Sequence, residues 1–352
     1  MNNEEYWANR AAWNMYHYMD EAEKAAERIA KVYHGASMWL SLETEGIFEK
    51  YMTKHKLSED EARQLLNSLY DKTSLEELLR KLKKGSGEKT KAELLKELEA
   101  PAYQYRIDRL RQIQEQLDGV MKNVYQQEKG FSTAFYTDLS NEVYYRSVFE
   151  IQKRAGVAFS FNHVSSKQID KVLNMNWSGQ HYSKRIWSNT QALAKGIKEE
   201  LLVSLITGRT ERETAEIISN KFGQGAMQAR RLVRTESSFV SAELSGAARR
   251  ECGIEKYQFI ATLDLKTSKI CREMDGRIFY ERDRKAGVNC NPMHPWCRST
   301  TLSVLDGIDL EKMTRTFRDP VTGKKMKIPR TMNYMEWYKQ FVEGRPEAKD
   351  LD

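Results

Sequence analysis

The chain of 352 residues has only 4 cysteines and 6 prolines, and nowhere do about 18 uncharged apolar residues follow one another, so a membrane-spanning helix is not expected. Its start, MNNEEYWANR, is acidic and polar where a secretion signal would be basic and then apolar. The expected site of synthesis is therefore a reducing cytoplasm, which argues against a disulfide framework. Proline and glycine are both missing from NEEYWANRAAWNMYHYMDEAEKAAERIAKVY, so nothing there interrupts a helix.

Hydrophobic residues make up 40% of the chain and charged residues 30%, a balance that suits a helix-rich protein. The length exceeds that of one comfortable core, so two or more modules are expected. Net charge is +7 but unevenly placed. Residues 1–50 carry 5 basic and 9 acidic groups, whereas 151–250 carry 16 and 8, a net +8 in that segment. A basic middle suits nucleic acid or an acidic protein surface, although a solvated helical face explains it as well.

The first third reads as helix after helix, with aromatic and aliphatic residues recurring every three or four positions. Ser41 begins SLETEGIFEKYM, with Glu43 and Glu45 suited to a first helical turn. Ser58 with Glu61, and Ser74 with Glu77, have capping-box spacing. KKGSGEKTK is a flexible break before Pro101, and YQYRIDRLRQIQEQLDGVMKNVYQQE is another long amphipathic helix. From 131 the texture mixes turn residues with aromatics, and a further helix is expected through 190–206. TERETAEIISNKFGQGAMQARRLVRTE then reads as helix, FGQG turn, helix. After Gly253 short strand-like pieces appear: YQFIATLD, an Asp-Gly turn in MDGRIFY, and CRSTTLSVLD. FRDPVTGKKMKIP reads as a hairpin with TGKK at its tip, and YMEWYKQFVEG as a closing helix.

CNPMHPWC packs Cys290, His294 and Cys297 into a loop stiffened by two prolines, and Cys271 lies upstream, just before Asp275-Gly276. Three thiolates and one imidazole fill a tetrahedral zinc site and leave no open position, so a structural metal is expected rather than a catalytic one. Such a metal replaces the core that a short β-module cannot build. Packed thiols beside a surface histidine, or a Cys-His nucleophile pair, are the other readings of the loop. Cys252, without a partner at ligand spacing, reads as an ordinary buried thiol.

The segment DLKTSKICREMDGRIF, followed by a glycine and then NPMHPWCRSTT, resembles the signature of the phage Mu protein F-like family. These are minor head, or head-morphogenesis, proteins of tailed bacteriophages. Asp264, Cys271, Asp275, Gly276, Pro292, His294, Pro295, Cys297 and Arg298 fall on the family's pattern. RTESSFVSAE resembles its Arg-Thr-Glu helix, which places Arg234, Thr235 and Glu236. Two positions depart: Ser268 stands where many members have a first cysteine, and Asn291 replaces a proline. Cys290 could restore the lost thiol and keep four ligands. The first half and YMEWYKQFVE look, more loosely, like minor capsid proteins of phages of Gram-positive bacteria.

The resemblance implies a mainly α fold with a small α+β C-terminal module, in which a long N-terminal helical region precedes a zinc-knuckle-like β-module. The expected division is 1–130 helical, for portal docking or self-association, 131–189 connecting, 190–305 Mu F-like, and 306–352 hairpin and helix tail. The implied function is a structural, non-enzymatic minor capsid protein with a structural zinc, inside the virion head near the portal. Its implied partner is the portal protein, with scaffold or major capsid protein and packaged double-stranded DNA, the last through Arg230 and Arg231, as further candidates. No membrane partner is implied. Arg234 and Glu236 would orient one another at the junction of helix and knuckle. Two other classes stay open: a DNA-binding regulator with a helix-turn-helix at 211–236, including Arg230, Arg231 and Arg234, and a metal-dependent nuclease. Against an enzyme, no second histidine adjoins His294, and the tail after 305 is too short for the ADP-ribosyltransferase extension of some head proteins.

Overall fold

The computed structural model describes residues 3–45, 60, 63, 101–156, 160–207, 209–305 and 314–343. The capping-box pairs at 58 and 74 and the break at KKGSGEKTK lie outside the described residues. Five helices come first: α1 (Asn3–Thr44), α2 (Pro101–Ala155), α3 (Ser166–Leu173), α4 (Tyr182–Thr207) and α5 (Glu211–Glu251). Then come β1 (Lys256–Ile260), α6 (Lys269–Met274), β2 (Ile278–Tyr280), β3 (Thr300–Val304), the strands β4 (Thr314–Arg318) and β5 (Lys325–Pro329), and α7 (Tyr334–Tyr338). The chain is mainly α with a small α+β C-terminal module. Among the described residues, no helix is long and apolar enough to cross a membrane.

Three helices run further than their sequences suggest. Helix α1 passes through Ser41, read as the start of a new helix, and ends at Thr44. Helix α2 continues past residue 131 to Ala155. Its polar residues stay helical because their side chains bond back to the preceding turn: Thr137 Oγ1 donates to the Thr133 carbonyl at 2.9 Å and Ser140 Oγ to that of Tyr136 at 2.7 Å. Helix α5 runs unbroken through FGQG, so the helix-turn-helix at 211–236 is not formed. A Cβ on Gly225 would stand 2.7 Å from Leu193 Cδ2 and 2.8 Å from Tyr33 Cε1. That glycine answers a close approach of neighbouring side chains, not a turn.

Two compact units divide the chain. One comprises Ala26–Phe131 and Ser183–Arg230. Its core takes Ile29, Tyr33 and Leu40 from α1, Leu110, Ile113, Leu117 and Met121 from α2, and Leu201, Leu202, Leu205 and Ile206 from α4, all buried. These are the three- and four-residue spacings of apolar helix stripes. Within it the buried Tyr33 hydroxyl donates to Glu128 Oε2 at 2.6 Å. Buried Glu200 faces Arg63 at 3.0 Å, Arg209 at 3.0 Å and Lys221 at 3.4 Å. Burial pushes the Glu200 carboxyl up, but the hydrogen bonds from Arg209 and Arg63 outweigh it and hold the group below its usual value.

The other unit comprises Met1–Ala25, Ser132–Tyr182 and Arg231–Asp352. It holds an antiparallel sheet in the order β2-β1-β3, with Tyr257 opposite Phe279 on one side and Ser303 on the other. The β4-β5 hairpin turns at Gly323, whose φ of 66° suits glycine, as TGKK led one to expect. Leu263, Phe317, Ile328, Tyr334, Trp337, Phe341 and Val342 form the core beneath hairpin and α7. A buried ionic cluster joins α5 to the β-module. Glu281 accepts from Arg249 at 2.8 Å, Arg284 at 2.8 Å and Arg250 at 2.7 Å, and Arg284 also pairs with Glu243 at 2.7 Å. Burial raises the Glu281 pKa, yet Arg249 and Arg284 together hold it below the usual carboxylate range.

Candidate metal centre

Three side chains converge where α6 meets the loop before β3. Cys271 lies on α6, one turn beyond Ser268 at its N-cap, while His294 and Cys297 come from the proline-restricted loop. The Sγ atoms of Cys271 and Cys297 are 3.8 Å apart, and Cys271 Sγ lies 3.3 Å from His294 Nε2. A tetrahedral zinc with its usual bond lengths would separate two thiolates by about 3.8 Å and a thiolate from an imidazole nitrogen by about 3.6 Å. The three residues therefore fit such an ion with small adjustments, and the cluster can bind a metal. Ser268 Oγ stands 2.7 Å from the same Nε2.

The imidazole is set for this use. His294 Nδ1 lies 2.7 Å from the Pro295 carbonyl, which can only accept, so Nδ1 carries the hydrogen. In the neutral ring Nε2 then presents its lone pair to the sulfurs, the arrangement found around ligating histidines. The buried thiols share charge unequally. Hydrogen bonding from Cys271, opposed by burial and helped by His294, lowers the Cys297 pKa, while the same contact and burial push Cys271 up. A thiolate is the form that binds metal.

Residues 195–302 match the profile of a family described as Phage Mu protein F like protein. That segment belongs to the Mu protein F-like family. The chain is also 24% identical over 271 residues to the NAD(+)--arginine ADP-ribosyltransferase EFV of Enterococcus faecalis, covering 70% of this chain and 53% of that protein. It is 28% identical over 111 residues to an uncharacterized protein of Haemophilus influenzae, covering 31% of this chain and 25% of the relative. The chain thus spans about half the length of the first relative and a quarter of the second. No solved structure matches it.

The Mu F-like motif residues divide between the metal cluster and its scaffold. Cys290, expected as a fourth ligand, lies apart from the cluster. It is buried against Ala242 of α5 and Tyr257 of β1, near the guanidinium of Arg284. Spacing along the loop gave no direction for that side chain, whereas packing turns it toward α5. Among the described residues Cys271, His294 and Cys297 come together without Cys290, so the expected Cys₃His set is corrected to Cys₂His. Cys252, read as buried, is only partly buried, just beyond the end of α5.

Asp264 receives both Arg298 Nη atoms, at 2.5 and 2.8 Å, and so braces the loop before α6 against the residue that follows Cys297. Asp275, buried, accepts from the Ala261 amide at 2.8 Å and from Arg315 Nη1 at 2.6 Å. Gly276 turns the chain with φ 81°. Arg234 and Glu236 do not orient one another, since residues two apart on a helix face different ways. Arg234 pairs with Glu23 and lies over the Trp296 ring, 5.4 Å from its centre, while Glu236 accepts from Trp177 Nε1 at 3.1 Å. Thr235 Oγ1 accepts from the Trp296 amide at 3.3 Å, and Asn291 Nδ2 donates to the Ser238 carbonyl at 3.1 Å. The Arg-Thr-Glu helix thus grips the loop that carries His294 and Cys297. Trp296, at φ 64°, has a backbone conformation uncommon for a bulky residue, and these contacts hold it. Arg230 and Arg231 are exposed on α5. Sequence reasoning missed Arg315, which lies on β4 outside the motif.

Proposed function

We propose that the chain is a minor capsid, or head-morphogenesis, protein of a tailed phage or prophage, acting as a structural component without catalysis. The observation that carries this reading is the family match at 195–302. The geometry supports it, because several motif residues serve as braces for the fold: Asp264 with Arg298, Asp275 with Arg315, and Thr235 with Trp296. In this reading the Cys271, His294 and Cys297 cluster holds a structural zinc that stiffens the small β-module. The protein sits in the virion head near the portal, with the portal protein as its first partner. Scaffold or major capsid protein and packaged DNA are further candidates, the last through the exposed Arg230 and Arg231. The transferase activity in the name of the Enterococcus faecalis relative belongs to a protein only 53% of which is matched, and this reading does not need it.

Quantitative mass spectrometry of purified, DNA-filled particles tests the assignment. A few copies per portal are expected. Absence from particles, with abundance in the lysate, would overturn a fixed head component and leave a transient assembly factor.

A further inference from the structure

The candidate metal cluster offers three strong ligands, and a serine stands beside them. Cys271, Cys297 and His294 would leave one tetrahedral position, and Ser268 Oγ lies beside the cluster, 2.7 Å from His294 Nε2. Cys290 Sγ is directed instead at Asn291 Oδ1 and Arg284, in a pocket walled by Ala242 and Tyr257. We propose that this chain's centre is a Cys₂His site whose fourth ligand is the neutral oxygen of Ser268, not a third thiolate. The proposal rests on the zinc reading above and deepens it.

Two consequences follow from the donor set. Two thiolates cancel the charge of a divalent ion, so the loaded centre is neutral, where a Cys₃His set would leave one negative charge. A hydroxyl that keeps its proton is also a far weaker donor to zinc than a thiolate. The 2.7 Å between Ser268 Oγ and Nε2 is a hydrogen bond, shorter than the about 3.3 Å separating oxygen and nitrogen ligands of one zinc. Metal entry must therefore turn the serine hydroxyl away from the ring and widen the gap by about half an ångström. Ser268 and His294 are both partly exposed, so water and small chelators reach this side. The centre is accordingly one that exchanges metal, held by three residues and latched by the fourth.

The test uses the full chain loaded with cobalt(II), a spectroscopic stand-in for zinc, in wild type and in Ser268→Cys, Ser268→Ala, Cys290→Ser and Cys297→Ser. Competition with a chromophoric chelator gives affinity, and thiolate-to-metal charge-transfer absorbance gives the number of sulfurs. Ser268→Cys is expected to raise that absorbance by about half and to tighten binding by more than the about 10–100-fold that outer-shell partners command. Cys290→Ser is expected to change neither, and Ser268→Ala to keep the two-sulfur spectrum. A loss of absorbance in Cys290→Ser, or an unchanged spectrum in a folded Ser268→Cys, would overturn the proposal. Should Ser268→Cys fail to fold, the wild-type and Cys290→Ser spectra still count the sulfurs. If no variant, Ser268→Cys included, binds either metal, the zinc reading itself falls. If only Ser268→Cys binds, the cluster is a metal site by chemistry, and the serine centre of this chain is refuted.

Discussion

Single residues decide charge states that the sequence could not reveal. Glu128 sits in a run of polar helix residues, yet it is buried, where it accepts a hydrogen bond from the Tyr33 hydroxyl. Burial raises its pKa to about 7, and the Tyr33 bond opposes the rise only in part. The unfolded chain titrates near the ordinary value of 4.5. Between those values the folded state binds more protons, so its stability is complete on the acid side and falls as pH rises through the window. Glu128→Gln keeps an acceptor for Tyr33 without the charge. It should leave Tm nearly unchanged at pH 5 and raise stability at pH 8 by of the order of 2–3 kcal/mol, as seen in denaturant titrations at both values. An equal effect at both would refute the argument. Arg315 is a second case: its partner Asp275 was legible as motif, but nothing on β4 marked this arginine as the counter-ion. Arg315→Met strands a buried carboxylate and should cost about 3–5 kcal/mol. Adding Asp275→Asn should restore much of that loss, and a double variant no better than the single would count against the pairing.

At the scale of elements, periodicity carried the reading far and failed where packing outweighs propensity. The stripes of α1, α2 and α4 were legible because an apolar side chain every three or four residues leaves few alternatives. Two glycines in FGQG looked like a turn, since glycine favours a turn by its own conformational freedom. In α5 they play different parts. Nothing lies within 4 Å of a Cβ on Gly223, whereas on Gly225 it would collide with Leu193 and Tyr33. Gly223→Ala is therefore expected to stabilise by about 0.5–1 kcal/mol, and Gly225→Ala to destabilise by about 1–3 kcal/mol. A genuine turn between two helices would give the opposite for Gly223, so thermal unfolding of the pair discriminates. The metal loop shows the same limit. Cysteine, histidine and proline crowded into eight residues marked the candidate cluster, but the direction of Cys290 depends on α5 and β1 lying beside it.

For the whole molecule, the question is how much of its stability a metal held at the Cys271, His294 and Cys297 cluster would command. The β-module is small: β2 offers three residues to β1, and β3 five. A hydrophobic cluster of Phe259, Ala261, Cys271 and Cys297 sits beneath it, so two of its four buried members are metal-ligand candidates. Yet the module is also anchored without metal, through Glu281 to Arg249 and Arg250 of α5 and through Arg284 to Glu243. Helix packing elsewhere, around Leu201, Leu202 and Leu205 of α4, involves none of these groups. Removing metal should therefore loosen the module locally and leave the helices folded, because stability is distributed in separable parts. Hydrogen exchange before and after chelation reads this directly. Amide protection at Phe259, whose N–H bonds the Arg277 carbonyl at 2.8 Å, should fall by at least about tenfold, while Leu201–Ile206 keep theirs. Uniform loss along the chain would mean that the centre supports the helical units as well, and that the ionic anchor at Glu281 cannot hold the module alone. No change at Phe259 would mean that the anchor suffices and that the cysteine cluster serves something other than stability.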